Sequence, residues 1–290
     1  MPGLVIVTNG NALARLFLTP LLRAHGQHIR RIYVVTGIRN DAGRIRSVTR
    51  YLRRSGVRFV ASKVATYLLP LLLGWTACIS DPFVPRFARR LGIEVRFVAD
   101  PNDPEVVRWV EDQPSVLLIS VSCPMKLEPP LLDAADAGAI NVHSSALPAY
   151  AGLAPYVWVL AKGEEVTAVT VHHMEERLDT GAVLAQPTVA IAPGVSAFEL
   201  FVQQAQVGGP ALRDVVGVAI ERGALPVGRP QDHSRRSYVG MPTRATIRDL
   251  RRRGHRLLRI RDLVRYVRAV RGTTPPAPRP DPSAPSYSAR

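Results

Sequence analysis

The first half of the chain alternates short apolar runs with amphipathic stretches, and this alternation constrains the fold more than any other feature. The apolar runs are Leu4 to Thr8, Ile32 to Thr36, Val95 to Val98, Val116 to Val121 and Ala139 to Val142. Nearly continuous apolar runs are typical of strands that helices cover on both faces. Helical candidates lie between them at Ala12 to Leu22, Pro104 to Glu111 and Pro129 to Ala135. We therefore predict an α/β fold with a doubly wound, mostly parallel sheet, whose ligands bind beyond the carboxyl ends of the strands.

Residues 44 to 91 interrupt this alternation with a segment that we interpret as an insert. It is basic from Arg44 to Arg58 and apolar from Val64 to Ile79. The apolar part is shorter than the roughly 20 residues that a spanning helix needs, and Pro70 and Gly74 interrupt it. Two interpretations stay open: an interface, for example in a homodimer, or a peripheral contact with anionic lipid headgroups.

The C-terminal third has helical periodicity and many arginines. From Ser196 to Glu221 we predict helix with a break at Gly208-Gly209-Pro210, and from Thr243 to Gly254 a short basic helix. A further helix is expected to pack through Leu257, Ile260, Val264 and Val267. Its arginines then face either solvent or a phosphate-bearing partner. The predicted divisions are a main domain at 1–210, a helical extension at 211–272 and a disordered Pro-rich tail at 273–290.

The net charge and the number of cysteines indicate which binding partners and which cellular compartment to expect. The net charge is +15, yet only three of the 38 basic residues are lysines. This arginine bias, in a chain rich in Ala, Val and Pro, fits a GC-rich genome better than selection for nucleic acid, which is disfavoured without being excluded. Cys78 and Cys123 lack the spacing of a zinc site or a disulfide scaffold, so no metal is predicted. We expect a cytoplasmic protein and no export signal after Met1.

The segment from Ile140 to Pro155, INVHSSALPAYAGLAP, contains the most informative side chains. Asn141 and His143 are two positions apart on a predicted strand, so both point to the same face. An amide and an imidazole side by side can hold a carbonyl oxygen as it becomes negative, which indicates acyl transfer. The structural alternative is a turn asparagine followed by a satisfied, partly buried histidine.

A second motif, Leu178-Asp179-Thr180-Gly181, follows the strand-like run from Ala168 to His172. A tight loop there would direct the Asp179 carboxylate back toward the histidine, where it could accept a proton from an attacking amine. The alternative is a turn aspartate. Adjacent histidines on a strand face opposite ways, so His172 and His173 do not readily share a metal ion, and His173 or its neighbours are interpreted as lining the site.

Taken together, these spaced motifs resemble the folate-dependent formyltransferase family. The residues that carry the resemblance are Asn141-Val142-His143, Ser145, Leu147-Pro148, Tyr150, Gly152, Pro155 and Leu178-Asp179-Thr180-Gly181. The family includes glycinamide ribonucleotide, methionyl-tRNA and amino-sugar formyltransferases. The resemblance covers residues 1 to 210, most strongly 117 to 191. Ala151 stands where many members carry arginine, which leaves the acceptor open.

The resemblance implies a Rossmann-like domain that uses 10-formyltetrahydrofolate as co-substrate. Asn141 and His143 would hold and polarise the formyl oxygen, and Asp179 would accept and transfer protons through bound water. The folate would lie against Ser122, Cys123, Pro124, Met125, Lys126 and Gly181. The expected acceptor is the primary amine of a small molecule, such as a nucleotide-linked amino sugar. The alternatives are a methionyl-tRNA formyltransferase-like enzyme and a non-catalytic lipid- or protein-interaction protein on the same fold.

Overall fold

The computed structural model describes residues 1–37, 49, 52–75 and 83–271, and its central sheet has seven strands within those ranges. In chain order the sheet strands are β1 (Gly3–Thr8), β2 (Ile29–Val35), β3 (Val95–Val98), β4 (Val116–Val121), β5 (Ala139–His143), β8 (Thr170–His173) and β9 (Val183–Ala185). Their spatial order is β3-β2-β1-β4-β5-β8-β9. The first five are parallel, and β8 and β9 add antiparallel pairs at one edge. The predicted doubly wound α/β fold is confirmed.

Shorter strands and the helices complete the architecture. The short strands are β6 (Ala151–Gly152), β7 (Val166–Ala168), β10 (Thr188–Ala190) and β11 (Tyr238–Val239). The helices are α1 (Ala12–His25), α2 (Val57–Trp75), α3 (Val84–Arg90), α4 (Pro104–Glu111), α5 (Pro129–Asp133), α6 (Pro155–Lys162), α7 (Ala197–Arg222), α8 (Arg244–Arg252) and α9 (Ile260–Arg271). Short 3-10 turns lie at Gly26–His28 and His233–Arg235.

Both faces of the sheet are buried, which explains why its central strands are apolar throughout. Leu4 and Ile6 of β1 pack into a core shared with α1, α7 and α9. Val5 and Val7 point to the other face, into a core shared with α4 and α5. Because alternate side chains enter different cores, a polar residue has no solvated side to occupy until the strand ends. On the central strands β1, β4 and β5, the polar residues therefore lie toward the carboxyl ends, at Thr8, Ser120, Asn141 and His143.

Helix α7 runs without interruption from Ala197 to Arg222, so the predicted break at Gly208-Gly209-Pro210 is wrong. A Cβ at Gly208 would lie 2.7 Å from both Phe17 and Val169, and one at Gly209 would lie 2.9 Å from the Phe17 carbonyl oxygen. The two glycines thus permit close contact between α7 and α1 and do not end a helix. The predicted domain boundary after residue 210 falls in the middle of this helix.

Helix α8 begins as predicted, but α9 presents a different face to the core. Thr243 caps α8: its hydroxyl accepts from the Thr246 amide at 3.2 Å. In α9, Ile260 and Val264 are 87% and 53% exposed, so their predicted packing is wrong, whereas Val267 and the preceding Leu257 do pack against core residues. The buried residues are Asp262, Tyr266 and Val270.

The rotation of α9 follows from its buried aspartate. Asp262 Oδ2 accepts hydrogen bonds from Ser196 Oγ at 2.5 Å and from the Arg259 amide at 2.6 Å. A buried carboxylate without such donors would be costly, so these bonds fix which side of α9 faces inward. Tyr266 and Val270, four and eight positions later, then complete the same face.

Part of the predicted insert forms helix α2, which is anchored near its beginning. Phe59 is buried, and Lys63 Nζ donates to Tyr156 Oη at 2.6 Å. The exposed apolar side chains Val64 and Leu68 lie further along the helix. Residues 38–48, 50–51 and 76–82 of this region, like the predicted tail at 273–290, lie outside the described residues. The proposed interface and lipid contact stay predictions; within the described ranges, every helix is too short or too polar to span a bilayer.

Candidate active site

Asn141 and His143 lie on one face of β5 at the carboxyl edge of the sheet, and β8 supplies a third group. The antiparallel register pairs Asn141 with His172 and His143 with Thr170. Asn141 Nδ2 lies 3.2 Å from His172 Nε2. Since Asn141 is partly exposed while His172 is buried, the asparagine faces the crevice and the histidine supports it from below.

The hydrogen bonds of His172 determine its tautomer and the orientation of Asn141. His172 Nδ1 lies 2.7 Å from the His173 carbonyl oxygen, which can only accept, so Nδ1 carries the proton. Nε2 is then an acceptor for one N–H of the Asn141 amide. The other N–H of that amide has no partner among the described residues. Burial lowers the pKa of His172, which keeps it neutral, so its 3.7 Å approach to Asp179 Oδ1 is not an ion pair.

His143 is buried beside the loop that follows β5. Its Nε2 lies 3.0 Å from the Tyr150 carbonyl oxygen and donates to it. Its Nδ1 faces Asp179 Oδ1 at 3.6 Å, which is too long for a direct hydrogen bond. Tyr150 adopts a left-handed backbone conformation, with φ of 58°, and its amide is held by Ser237 Oγ at 2.8 Å. His143 can therefore exchange a proton with the crevice only through Nδ1.

Asp179 is directed into the crevice by a strained and well-braced loop. Its φ is 58°, a conformation that is uncommon for a residue with a side chain and that often occurs at functional sites. The Gly152 amide donates to Asp179 Oδ2 at 2.8 Å, which leaves Oδ1 facing His143. Gln231 Nε2 donates to the carbonyl oxygens of Asp179 at 3.2 Å and Gly181 at 2.7 Å.

Gly181 allows the same loop to return against β8. A Cβ at this position would lie 2.0 Å from the His173 carbonyl oxygen, so no side chain fits without moving the main chain. Thr180 Oγ1 lies 2.9 Å from the Arg177 carbonyl oxygen and 3.1 Å from Glu175 Oε2, and its single hydroxyl proton, shared between these acceptors, closes the turn before Gly181. Residues 178–181 therefore form the predicted tight turn, and the Asp179 carboxylate points toward His143 as predicted.

The loop predicted to contact folate leaves the carboxyl end of β4, beside β5. It begins at Ser122, whose φ is 53°, and Asn102 braces it by donating to the Lys126 carbonyl oxygen at 2.9 Å and accepting from the Glu128 amide at 2.8 Å. Burial raises the pKa of the Cys123 thiol to about 11, so it is protonated at neutral pH and poorly suited to act as a nucleophile. Pro124, Met125 and Lys126 follow along the same loop, and their contact with folate stays a prediction.

The structure thus brings Asn141, His143 and Asp179 together, and it selects one histidine from the predicted lining at His173 or its neighbours. His172, and not His173, belongs to the crevice, because His173 pairs with Ile140 and directs Nε2 to the Pro226 carbonyl oxygen at 3.3 Å. Which of the two histidines faces Asn141 depends on strand register, which the sequence does not give. Gln231 was missed by the sequence reasoning, since it lies 52 positions from Asp179. In the described part of the chain, no cluster of three or more His, Cys, Asp and Glu side chains could hold a metal ion.

The lowered pKa of His172 predicts how stability depends on pH. Because the unfolded chain binds this proton near pH 6.5 and the folded chain resists it, stability is full above pH 6.5 and falls as the pH decreases below it. We expect His172→Gln to remove roughly 1 kcal/mol of the stability difference between pH 7.5 and 5.5. Denaturant unfolding at the two pH values measures this. Equal pH dependence in wild type and variant contradicts it, and His233→Gln, an exposed histidine, is the matched control.

Chemically, the crevice combines two donors with one acceptor. The free N–H of Asn141 and a protonated His143 Nδ1 could stabilise an oxyanion, and Asp179 Oδ1 could accept a proton within the same space. Burial of His143 and Asp179, whose side chains are 8% and 10% exposed, strengthens these interactions by reducing screening from water.

Comparison with known proteins agrees with this arrangement. Residues 95–216 match the family model for formyl transferases. A methionyl-tRNA formyltransferase from Synechococcus sp. (strain JA-3-3Ab) is 42% identical over 139 residues, which make up 48% of this chain and 42% of the relative. The chain spans about half the length of the curated relatives that it matches.

Two solved structures share the fold at low identity. A sugar N-formyltransferase from a Shewanella species is 16% identical with a TM-score of 0.56, and the match covers 87% of this chain and 88% of that one. An N-formyltransferase from Helicobacter canadensis, in complex with folinic acid and dTDP-3-aminofucose, is 14% identical with a TM-score of 0.56 and coverage of 86% and 81%. Residues 95–216 are therefore similar to formyl transferases, and the chain shares its fold with these N-formyltransferases.

Proposed function

We propose that this protein transfers the formyl group of 10-formyltetrahydrofolate to a primary amine, with Asn141, His143 and Asp179 at the reacting centre. The observation that carries the proposal is the convergence of these three groups. Asn141 and His143 share one face of β5, and Asp179 Oδ1 lies 3.6 Å from His143 Nδ1. The match of residues 95–216 to the formyl transferase model supports the same chemistry.

In the proposed reaction, the neutral amine nitrogen attacks the formyl carbon and a C–N bond forms. Asn141 Nδ2–H donates to the oxygen as it becomes negative, and so does Nδ1–H of the His143 imidazolium, whose Nε2–H remains bonded to the Tyr150 carbonyl oxygen. Asp179 accepts the proton that the amine nitrogen loses, directly or through water, and this proton can pass to the departing folate nitrogen. The carbon–nitrogen bond to that nitrogen then breaks, and the products are the formamide and tetrahydrofolate. The protein thus contributes positioning, charge stabilisation and proton transfer.

The fit of the co-substrate can be judged from two features of this chain. The second N–H of Asn141 faces the crevice without a partner among the described residues, which suits a formyl oxygen. The loop at Ser122, Cys123, Pro124, Met125 and Lys126 borders the same sheet edge and is braced by Asn102. We propose that main-chain groups of this loop, together with Gly181, bind the folate ring. The N-formyltransferase from Helicobacter canadensis, which shares the fold, was solved with folinic acid, a formylated folate.

For the acceptor we propose a small-molecule amine, with a nucleotide-linked amino sugar as the first class to test. The segment after α7 consists, in its described part, of a short strand and two basic helices. It packs against the catalytic domain, for example through α8 on α6. The second candidate is methionyl-tRNA, which is favoured by the identity of 42% to a methionyl-tRNA formyltransferase.

An acceptor panel tests the proposal. Purified protein is incubated with 10-formyltetrahydrofolate and, separately, with dTDP- and UDP-linked amino sugars and with methionyl-tRNA, and products are analysed by mass spectrometry. We expect an amino sugar to gain one formyl group together with release of tetrahydrofolate. Formylation of methionyl-tRNA alone would favour the second candidate. The absence of any transfer and of any folate binding would favour the non-catalytic interaction protein.

A further inference from the structure

A cavity of about 590 Å³ lies between the beginning of helix α2 and helix α8. Its lining includes six arginines, and none of the residues assigned to the candidate active site lines it. The arginines are Arg58, Arg244, Arg248, Arg251, Arg252 and Arg256. We call this the arginine cavity.

The arginine cavity concentrates positive charge with little to balance it. Among the described residues that line it, none carries a carboxylate. Within the described ranges, the one ion pair made by these six side chains joins Arg252 Nη1 to Asp249 Oδ1 at 3.6 Å, and it is exposed. Six like charges around one space repel one another and raise the local concentration of anions.

The arginines are held by a fixed scaffold. Ser55 is buried, and its Oγ donates to the Pro242 carbonyl oxygen at 2.5 Å, which joins the chain before α2 to the chain before α8. Arg244 Nη2 donates to the Leu52 carbonyl oxygen at 3.3 Å. Four of the arginines lie on α8 at positions 244, 248, 251 and 252, which share one side of a helix. A rigid helix therefore presents them to the cavity together.

Helix electrostatics alone does not explain this cluster. Arginines in the last turn, such as Arg251 and Arg252, are favoured by the negative end of the helix dipole. Arg244, however, occupies the first turn, where a cation is disfavoured, and Arg58 lies near the beginning of α2. Arg58 and Arg244 therefore line the cavity at positions that the helix dipole disfavours.

We infer that the arginine cavity binds an anion that carries two or more linked phosphate groups. A guanidinium group matches a phosphate with paired N–H donors, and one carboxylate would satisfy a single arginine and leave the others unbalanced. The volume lies within the range of small-ligand sites. The apolar lining residues, Val57 and Ile247, are aliphatic and offer no ring to stack on a base, so we expect the phosphates to supply most of the affinity. This inference goes beyond the proposed formyl transfer and does not depend on it.

Calorimetric titration with pyrophosphate, without folate, tests the inference. We expect saturable binding that Arg248→Gln/Arg251→Gln weakens at least about tenfold. The matched control is Arg108→Gln/Arg222→Gln, which removes the same charge from exposed positions outside the cavity and should change affinity less than about twofold. If the first variant unfolds, Arg58→Gln/Arg256→Gln replaces it. Equal weakening in both double variants, or no binding of pyrophosphate, overturns the inference.

Two further probes identify the source of the phosphates. Tighter binding of dTDP than of pyrophosphate supports a nucleotide ligand, and equal binding supports free polyphosphate; either result agrees with the inferred chemistry. Binding of single-stranded RNA that depends on Arg248 and Arg251, without binding of pyrophosphate, contradicts it and assigns the surface to nucleic acid.

Discussion

Replacing His143 by alanine is expected to lower kcat/KM for formyl transfer by about 10²- to 10³-fold while the protein stays folded. The imidazole borders the crevice through Nδ1, and its loss removes one of two donors available to the developing oxyanion. Steady-state release of tetrahydrofolate, measured with the acceptor found in the panel, gives this ratio. Because the interaction strengthens in the transition state, kcat should fall more than KM rises.

The matched control for this prediction is His173→Ala. His173 lies on β8 next to the site but contacts the Pro226 carbonyl oxygen and faces away from Asn141. It should retain kcat/KM within about threefold, since residues outside the reacting centre contribute little to transition-state binding. An active His143→Ala variant, or an equal loss in both variants, would contradict the assigned mechanism.

The largest loss of stability is expected for Gly181→Ala. The added Cβ would lie 2.0 Å from the His173 carbonyl oxygen, and a main-chain atom cannot turn away as a side chain can. We expect the free energy of unfolding to fall by about 3 kcal/mol and Tm by roughly 6–12 °C. The loop that carries Asp179 must shift to relieve the contact, so activity should fall further than stability alone explains.

Gly217→Ala provides the comparison. Gly217 lies inside α7, and a Cβ there would meet only the His25 ring, at 3.4 Å. Helix propensity favours alanine, so stability should be unchanged or rise by about 0.5–1 kcal/mol. Thermal unfolding of the two variants measures both effects. A Gly181→Ala protein as stable as wild type would show that the Asp179 loop is not held against β8 as described.

The sequence predicted the sheet well because its strands are buried on both faces. Val95–Val98 and Val116–Val121 have the predicted bounds, and α4 does as well. Side-chain alternation on β5 correctly placed Asn141 and His143 on one face, since that spacing is a property of any strand. The motif around Asp179 was also informative, because turn residues act locally.

Other features depended on contacts between distant segments, which local patterns do not contain. Gly208 and Gly209 were interpreted as a helix break, but they lie where α1 passes close to α7. In α9, the apolar residues suggested one face, while the buried Asp262 and its bond to Ser196 selected another. The register that places His172 beside Asn141 is likewise set by pairing between β5 and β8.

The most direct test of the central claim is the effect of folinic acid on Tm. A ligand that binds only the folded state at about 100 times its Kd adds about 2.7 kcal/mol, or roughly 5–10 °C for a chain of this size. We predict such an increase for the wild type and a reduced one for Asn141→Ala, whose free N–H faces the crevice. An unchanged Tm at saturating folinic acid would contradict the folate site and, with it, the proposed formyl transfer.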